Sequence, residues 1–174
     1  MGRIDPCSAL VVCDAGPLIH LDEVGALDLL GDFREVLVPD AVWRELEHHR
    51  PAALDCPRIR LQRVAPQRMV PHALTALSQV FSLHAGEWEA LCVALEQDVD
   101  MLLTDDTAAR LAAENLKIPA HGTIGILVRA IRRRQRTKEE VLELLQSIPT
   151  RSTLHLKRSL LAAVISEVEG ESAV

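Results

Sequence analysis

The stretch Ala9-Leu10-Val11-Val12-Cys13-Asp14 decides the fold. Five apolar residues, two of them β-branched, end abruptly at an acid. A run this short between polar neighbours reads as a buried strand. Pro17 follows within one turn, where its fixed φ suits the start of a helix. That helix continues through Leu18, Leu21 and Glu23. The same design recurs at Met101-Leu102-Leu103-Thr104, which stops at Asp105-Asp106 before helical sequence to about Asn115.

Outward from these two stretches, strand and helix signals alternate. Leu27–Phe33 suggests a short helix, and Val36–Val38 a strand ended by Pro39. Asp40 is the expected N-cap of a helix through Val42, Trp43, Leu46 and His49. Ile59–Val64 and Ile118–Ala120 read as further strands. Ala73–Phe81, His84–Gln97, Gly122–Arg134, Lys138–Ser147 and Leu156–Glu167 read as helices. The segment Ala65–Pro71 is a loop bracketed by Pro66 and Pro71. Alternation of this kind calls for an α/β fold with a mainly parallel sheet. Ligands of such sheets gather beyond the carboxyl ends of the strands, where Asp14, Asp105 and Asp106 fall.

The composition narrows the class. The chain has 174 residues, which fits one domain spanning residues 1–174. It is 48% hydrophobic, enough for a sizeable core. With two Trp, two Phe and no Tyr, that core must be aliphatic, and ring-stacking nucleic-acid modules are disfavoured. A net charge of −6 excludes binding nucleic acid by bulk charge. No long uncharged apolar segment suggests a membrane span or secretory signal, so the chain reads as cytoplasmic. Cys7, Cys13, Cys56 and Cys92 are scattered, as expected of reduced, mostly buried thiols.

Two helical acids join the strand-end acids. Glu87 lies in line with the apolar stripe Ala90, Leu91, Ala94 and Leu95, whereas Glu89 and Glu96 fall on the opposite, solvent face. Glu45 lies beside Val42 and Leu46, while Glu47 turns away. Each has a plain alternative: a helix cap, a dipole contact or a solvated edge. If Asp14, Glu45, Glu87 and Asp106 converge, however, repulsion must be relieved. Two carboxylates ~4 Å apart repel by ~4 kcal/mol at an effective dielectric near ~20. A divalent cation resolves the conflict, and an all-oxygen set suits Mg²⁺ or Mn²⁺.

These segments resemble the PIN-domain family of metal-dependent nucleases, and in particular the prokaryotic branch of VapC-type toxin ribonucleases and their longer relatives. The resemblance rests on VVCDAGPLIHL, VPDAVWREL, LHAGEWEALCVAL, LLTDDTAARLAA and HGTIGIL, in that order. It implies a three-layer α/β/α sandwich and hydrolysis of RNA phosphodiesters by in-line attack of a metal-activated water. By position, Asp14, Glu87 and Asp106 would hold Mg²⁺ or Mn²⁺, and Glu45 would bind a second ion or orient the water. Asp105 would supply a fourth carboxylate or hydrogen-bond nearby, and Thr104 matches a small polar residue beside the site. Glu replaces the family's more frequent Asp at position 87. A helical C-terminal extension from about residue 137 exceeds the minimal toxin. An RNA substrate, an antitoxin partner and a homodimer are the expected partners. The alternatives are a non-catalytic PIN-like module that binds RNA or protein, and a receiver-type α/β protein, for which a suitable Lys is lacking.

Two basic groups complete the reading. Arg129, Arg132, Arg133 and Arg136 follow helical spacing and form either a phosphate-contacting ridge or a solvated face, opposite Ile124, Leu127, Val128 and Ile131. Arg58, Arg60, Arg63 and Arg68 carry the same two readings. His84 is a proton donor or a cap.

Overall fold

Strand residues that alternate between two faces require a layer on each side, and this is what the sheet shows. The computed structural model describes residues 9–67 and 72–170. Cys7, Arg68 and the end of the proline-bracketed loop at Pro71 lie outside these residues. Five strands, β1 (Leu10–Cys13), β2 (Glu35–Pro39), β3 (Leu61–Val64), β4 (Met101–Leu103) and β5 (Ala120–His121), form one sheet in the order β3-β2-β1-β4-β5. Every pairing is parallel. Val11, Cys13, Val36, Val38 and Leu103 face one core, whereas Val12, Leu37 and Leu102 face another. The period of two in each strand thus divides the core between two layers.

Eight α-helices cover the faces among the described residues. They are α1 (Ala15–Val24), α2 (Asp40–His49), α3 (His72–Phe81), α4 (Ala85–Gln97), α5 (Thr107–Asn115), α6 (Thr123–Arg132), α7 (Lys138–Arg151) and α8 (Arg158–Gly170). Helices α1, α6, α7 and α8 contribute to the first core, and α3, α4 and α5 to the second. The architecture is the expected three-layer α/β/α sandwich. Strand order reverses direction at β1, because the chain passes from β1 to β2 and β3 on one side and then to β4 on the other. The crevice between the carboxyl ends of β1 and β4 is therefore the natural ligand site.

The sequence reading needs several corrections. Leu27–Asp32 is a 3₁₀ segment, not an α-helix. Pro39, not Asp40, occupies the N-cap of α2, with no side-chain cap of its own. Glu89 supplies an acceptor from α4 instead: its Oε2 takes the Ala41 N–H at 2.7 Å. Glu89 is thus not on a solvent face, and Glu96 accepts from the Gln67 amide at 3.0 Å. The periodicity of α4 could not reveal partners from other elements. The last helices also run further than expected, to Arg151 and Gly170. Val141, Leu145 and Ile148 of α7 are all but inaccessible, so the C-terminal extension is part of the first core.

On α6, Ile126, Leu127 and Ala130 are buried, while the expected Ile124, Val128 and Ile131 are half-buried. The small Ala130 allows the helix to close on the sheet along a face rotated from the most apolar one.

Candidate functional site

Asp14, at the end of β1, occupies the N-cap position of α1 but makes no side-chain cap. Its backbone N–H pairs instead with the Leu103 carbonyl of β4 at 2.9 Å. The side chain accepts a hydrogen bond from Thr104, whose Oγ1 lies 3.1 Å from Asp14 Oδ2. Thr104 is fully buried and also accepts the Asp106 N–H at 3.2 Å. One hydroxyl therefore ties the ends of β1 and β4 together and fixes the Asp14 carboxylate.

The adjacent acids Asp105 and Asp106 serve different ends. Asp106 caps α5, with Oδ1 accepting the Ala109 N–H at 2.8 Å. Asp105 reaches across to α6: Oδ1 accepts the Thr123 N–H at 2.7 Å, and Oδ2 accepts the Thr123 hydroxyl at 2.6 Å. Asp105 Oδ2 also lies 2.8 Å from His20 Nδ1 on α1. Burial pushes the Asp105 carboxyl up, but the His20 and Thr123 hydrogen bonds outweigh it and hold the group below the ordinary range. The N-cap of α6 is Gly122, which has no side chain to cap with. A Cβ there would lie 2.5 Å from Asp105 Oδ1 and 2.8 Å from an Arg110 nitrogen. Glycine at this position makes room for the carboxylate that caps the helix from outside.

Glu87 sits in the first turn of α4, and its side chain is 12% exposed. It forms a capping box with His84: Oε2 accepts the His84 N–H at 2.8 Å, and Oε1 lies 3.3 Å from His84 Nδ1. His84 is thereby a capping residue at an exposed rim. Glu45 projects from α2 as an exposed side chain. Gly86 lies between these groups. The position its Cβ would take is 3.6 Å from Asp14 Oδ1 and 3.9 Å from Glu45 Oε2. Those two oxygens can be no farther apart than the sum of these distances.

The structure therefore brings Asp14, Glu45, Glu87, Asp105 and Asp106 around one cleft of about 510 Å³. Burial raises the Asp14 carboxyl to about 6, and the nearby charges of Glu87 and Glu45 push the same way. The lining holds three histidines (His20, His84 and His155) but no Lys or Arg. Among the described residues, no three acid, His or Cys side chains already converge at ion-binding distance. The donor set nonetheless suits a hard cation that retains waters, since Mg²⁺ is commonly held through one or two carboxylates. Asp106 Oδ2 and Glu45 have no hydrogen-bonded partner among the described residues, whereas the Asp14 carboxylate is held by the Thr104 hydroxyl and the Ala15 N–H. Asp105, in contrast, has both oxygens committed to Thr123 and His20, and among the described residues Glu87 engages only the exposed His84 at the rim.

The sequence reading missed three contributors. His20 and Thr123 fall within the quoted segments, and their side chains fix Asp105. The connector 152–157 between α7 and α8 places Thr153, Leu154 and His155 on the cleft wall; the last helix, expected from Leu156, begins only at Arg158, so Leu156 and Lys157 belong to this connector.

The basic groups are also corrected. Arg129 and Arg133 both pair with Asp32, Arg133 at 3.0 Å, and Arg136 pairs with Asp28 at 2.7 Å. The Arg129 guanidinium also lies 4.6 Å over the Phe33 ring. Three of the four ridge arginines thus fasten α6 and its C-terminal turn to the 3₁₀ segment; the face is neither free nor solvated, because Asp28 and Asp32 stand opposite it. Of these four, only Arg132 makes no ion pair among the described residues. Arg63 pairs with Asp40 at 2.5 Å.

A family model described as PIN domain matches residues 10–170. No curated protein matches the chain. No helix among the described residues is long and apolar enough to cross a membrane.

Proposed function

The chain belongs to the PIN-domain family, whose fold is of nuclease type, and from that premise we propose that it is a Mg²⁺- or Mn²⁺-dependent endoribonuclease. The observation that carries this reading is the cleft at the β1–β4 crevice, where five carboxylates meet with no Lys or Arg among the described lining residues. In this reading Asp14, Glu87 and Asp106 hold the cation. Bound there, it would offset the carboxylate charge, polarise a phosphodiester oxygen and activate a water for in-line attack.

The protein groups have separable tasks. Thr104 sets the orientation of Asp14. Asp105 positions α6 and α1 through Thr123 and His20, so its part is structural support. Glu45, exposed at the cleft edge, is placed to orient a water or accept its proton. Glu87 lines the same cleft as Asp14, and its charge pushes the Asp14 carboxyl up. A cytoplasmic, toxin-like role with a restraining antitoxin, and a homodimeric state, belong to the same proposal and rest on the family resemblance.

Cleavage of a mixed RNA pool tests the reading. Wild type with Mn²⁺ should cut, EDTA should abolish cutting, and Asp14→Asn should lower the rate on the order of a hundredfold or more. A folded wild type that cuts equally well in EDTA would refute metal dependence. In the toxin-like reading, expression of wild type, but not Asp14→Asn, should arrest growth.

A further inference from the structure

The connector 152–157 lies along the acid cleft in a conformation fixed by a residue far away in sequence. Its exposure alternates: Ser152, Leu154 and Leu156 are half-buried, whereas Thr153, His155 and Lys157 are exposed. Leu154 and Leu156 pack against the first core. Alternation of this kind describes extended chain laid on a surface, with one row of side chains turned outward. Glu23 of α1 pins its start. The carboxylate accepts the Thr153 N–H at 2.7 Å, the Ser152 hydroxyl at 2.8 Å and the Thr153 hydroxyl at 3.0 Å. Ser152 Oγ in turn accepts the Leu154 N–H at 3.2 Å.

A polyanion entering this cleft meets carboxylates on several sides. Arg129, Arg133 and Arg136 are already paired with aspartates. Lys157 and Arg158, at the end of the connector, form no ion pair among the described residues. Outward residues two apart on extended chain are spaced by roughly 7 Å, close to the step between successive phosphates of an extended nucleic-acid strand.

We propose that the connector is a rail for single-stranded RNA, with His155 and Lys157 contacting phosphates beside the scissile one and Glu23 as the positioning residue that holds the rail in place. This deepens the nuclease reading and rests on it. The C-terminal extension then acts in substrate recognition.

The test uses the full chain with Mn²⁺ and short single-stranded RNA oligonucleotides, with steady-state cleavage and anisotropy binding across a salt series. His155→Ala and Lys157→Gln should each raise KM about tenfold with kcat changed less than about threefold. Lys157→Gln should also flatten the slope of log affinity against log salt by about 0.7. Glu23→Ala should raise KM similarly, and Glu23→Gln, which keeps an acceptor for the Thr153 amide, should recover most of it. Lys117→Gln, at the opposite end of the strands, should match wild type. If Glu23→Ala fails to fold, the two exposed-residue variants decide. Unchanged KM and salt slope in both, beside a wild type that cuts, would overturn the rail and leave the nuclease reading intact. A wild type that neither cuts nor binds RNA would overturn both.

Discussion

The Thr104 hydroxyl donates to Asp14 Oδ2 over 3.1 Å, joining residues 90 positions apart at the ends of neighbouring strands. Thr104→Val preserves the shape but removes this donor and the acceptor for the Asp106 N–H. Thermal or urea unfolding should show a loss of about 1–2 kcal/mol. Cleavage should fall roughly 10–100-fold, the usual cost of releasing a ligand-orienting hydrogen bond. Full activity in a folded Thr104→Val protein would show that Asp14 needs no such support.

Asp14 has a stability cost that depends on pH. Its carboxyl rises from 3.8 to about 6 on folding, first through burial and then through Glu87 and Glu45. The native state therefore holds this proton more tightly than the unfolded chain. Stability should fall as pH rises from about 4 to 6, by roughly 3 kcal/mol from this group, and change little from it above that range. Asp14→Asn should melt higher than wild type at pH 7.5 and converge with it near pH 4. Identical melting of the two proteins at pH 7.5 would contradict the charge crowding.

Gly122 should be intolerant of a methyl group. Its Cβ would fall 2.5 Å from Asp105 Oδ1, whereas at Gly125 the nearest atom, His121 Nδ1, would be 3.4 Å away. Gly122→Ala should displace the carboxylate that caps α6 and cost about 1–3 kcal/mol. Gly125→Ala, a helix-interior site, should be neutral or stabilising. Chemical denaturation of the two variants side by side provides the check.

The arginine ridge should report on stability more than on RNA. Asp32 is 8% exposed and bonded to both Arg129 and Arg133. Asp32→Ala would remove the carboxylate shared by two partly buried cations and should cost on the order of 3 kcal/mol. Arg129→Ala should also lower the melting temperature while leaving RNA affinity within about twofold, measured by anisotropy. A large affinity loss with unchanged melting would restore the ridge as an RNA surface.

What was legible in the sequence follows what local pattern can encode. The run Leu10–Cys13 showed a buried strand because its length, β-branching and terminal acid are local properties. Glu87 could be placed on the inner side of α4 because 100° spacing relates it to Leu91. Asp105 and Asp106 could not be told apart, since neighbouring residues at a strand end receive their roles from partners elsewhere: the Ala109 amide for one, Thr123 and His20 for the other. Helical spacing put the arginines on one face but could not show Asp28 and Asp32, some hundred positions earlier, standing opposite. Residues 152–155 carry no periodic signal, the apolar Leu156 reads as the start of the last helix, and the Glu23 carboxylate that receives Ser152 and Thr153 lies far away in sequence. The N-caps of α2 and α6 were misread or missed for a common reason: each is capped by a carboxylate from another element.

Mn²⁺ titration of the full chain by calorimetry, with Asp14→Asn alongside, tests the acid cleft most directly. The expected result is saturable binding by wild type that is abolished or weakened at least tenfold in a folded Asp14→Asn protein. Equal isotherms for the two proteins, or no binding by wild type, would contradict the assignment of this cleft as a metal-dependent catalytic site.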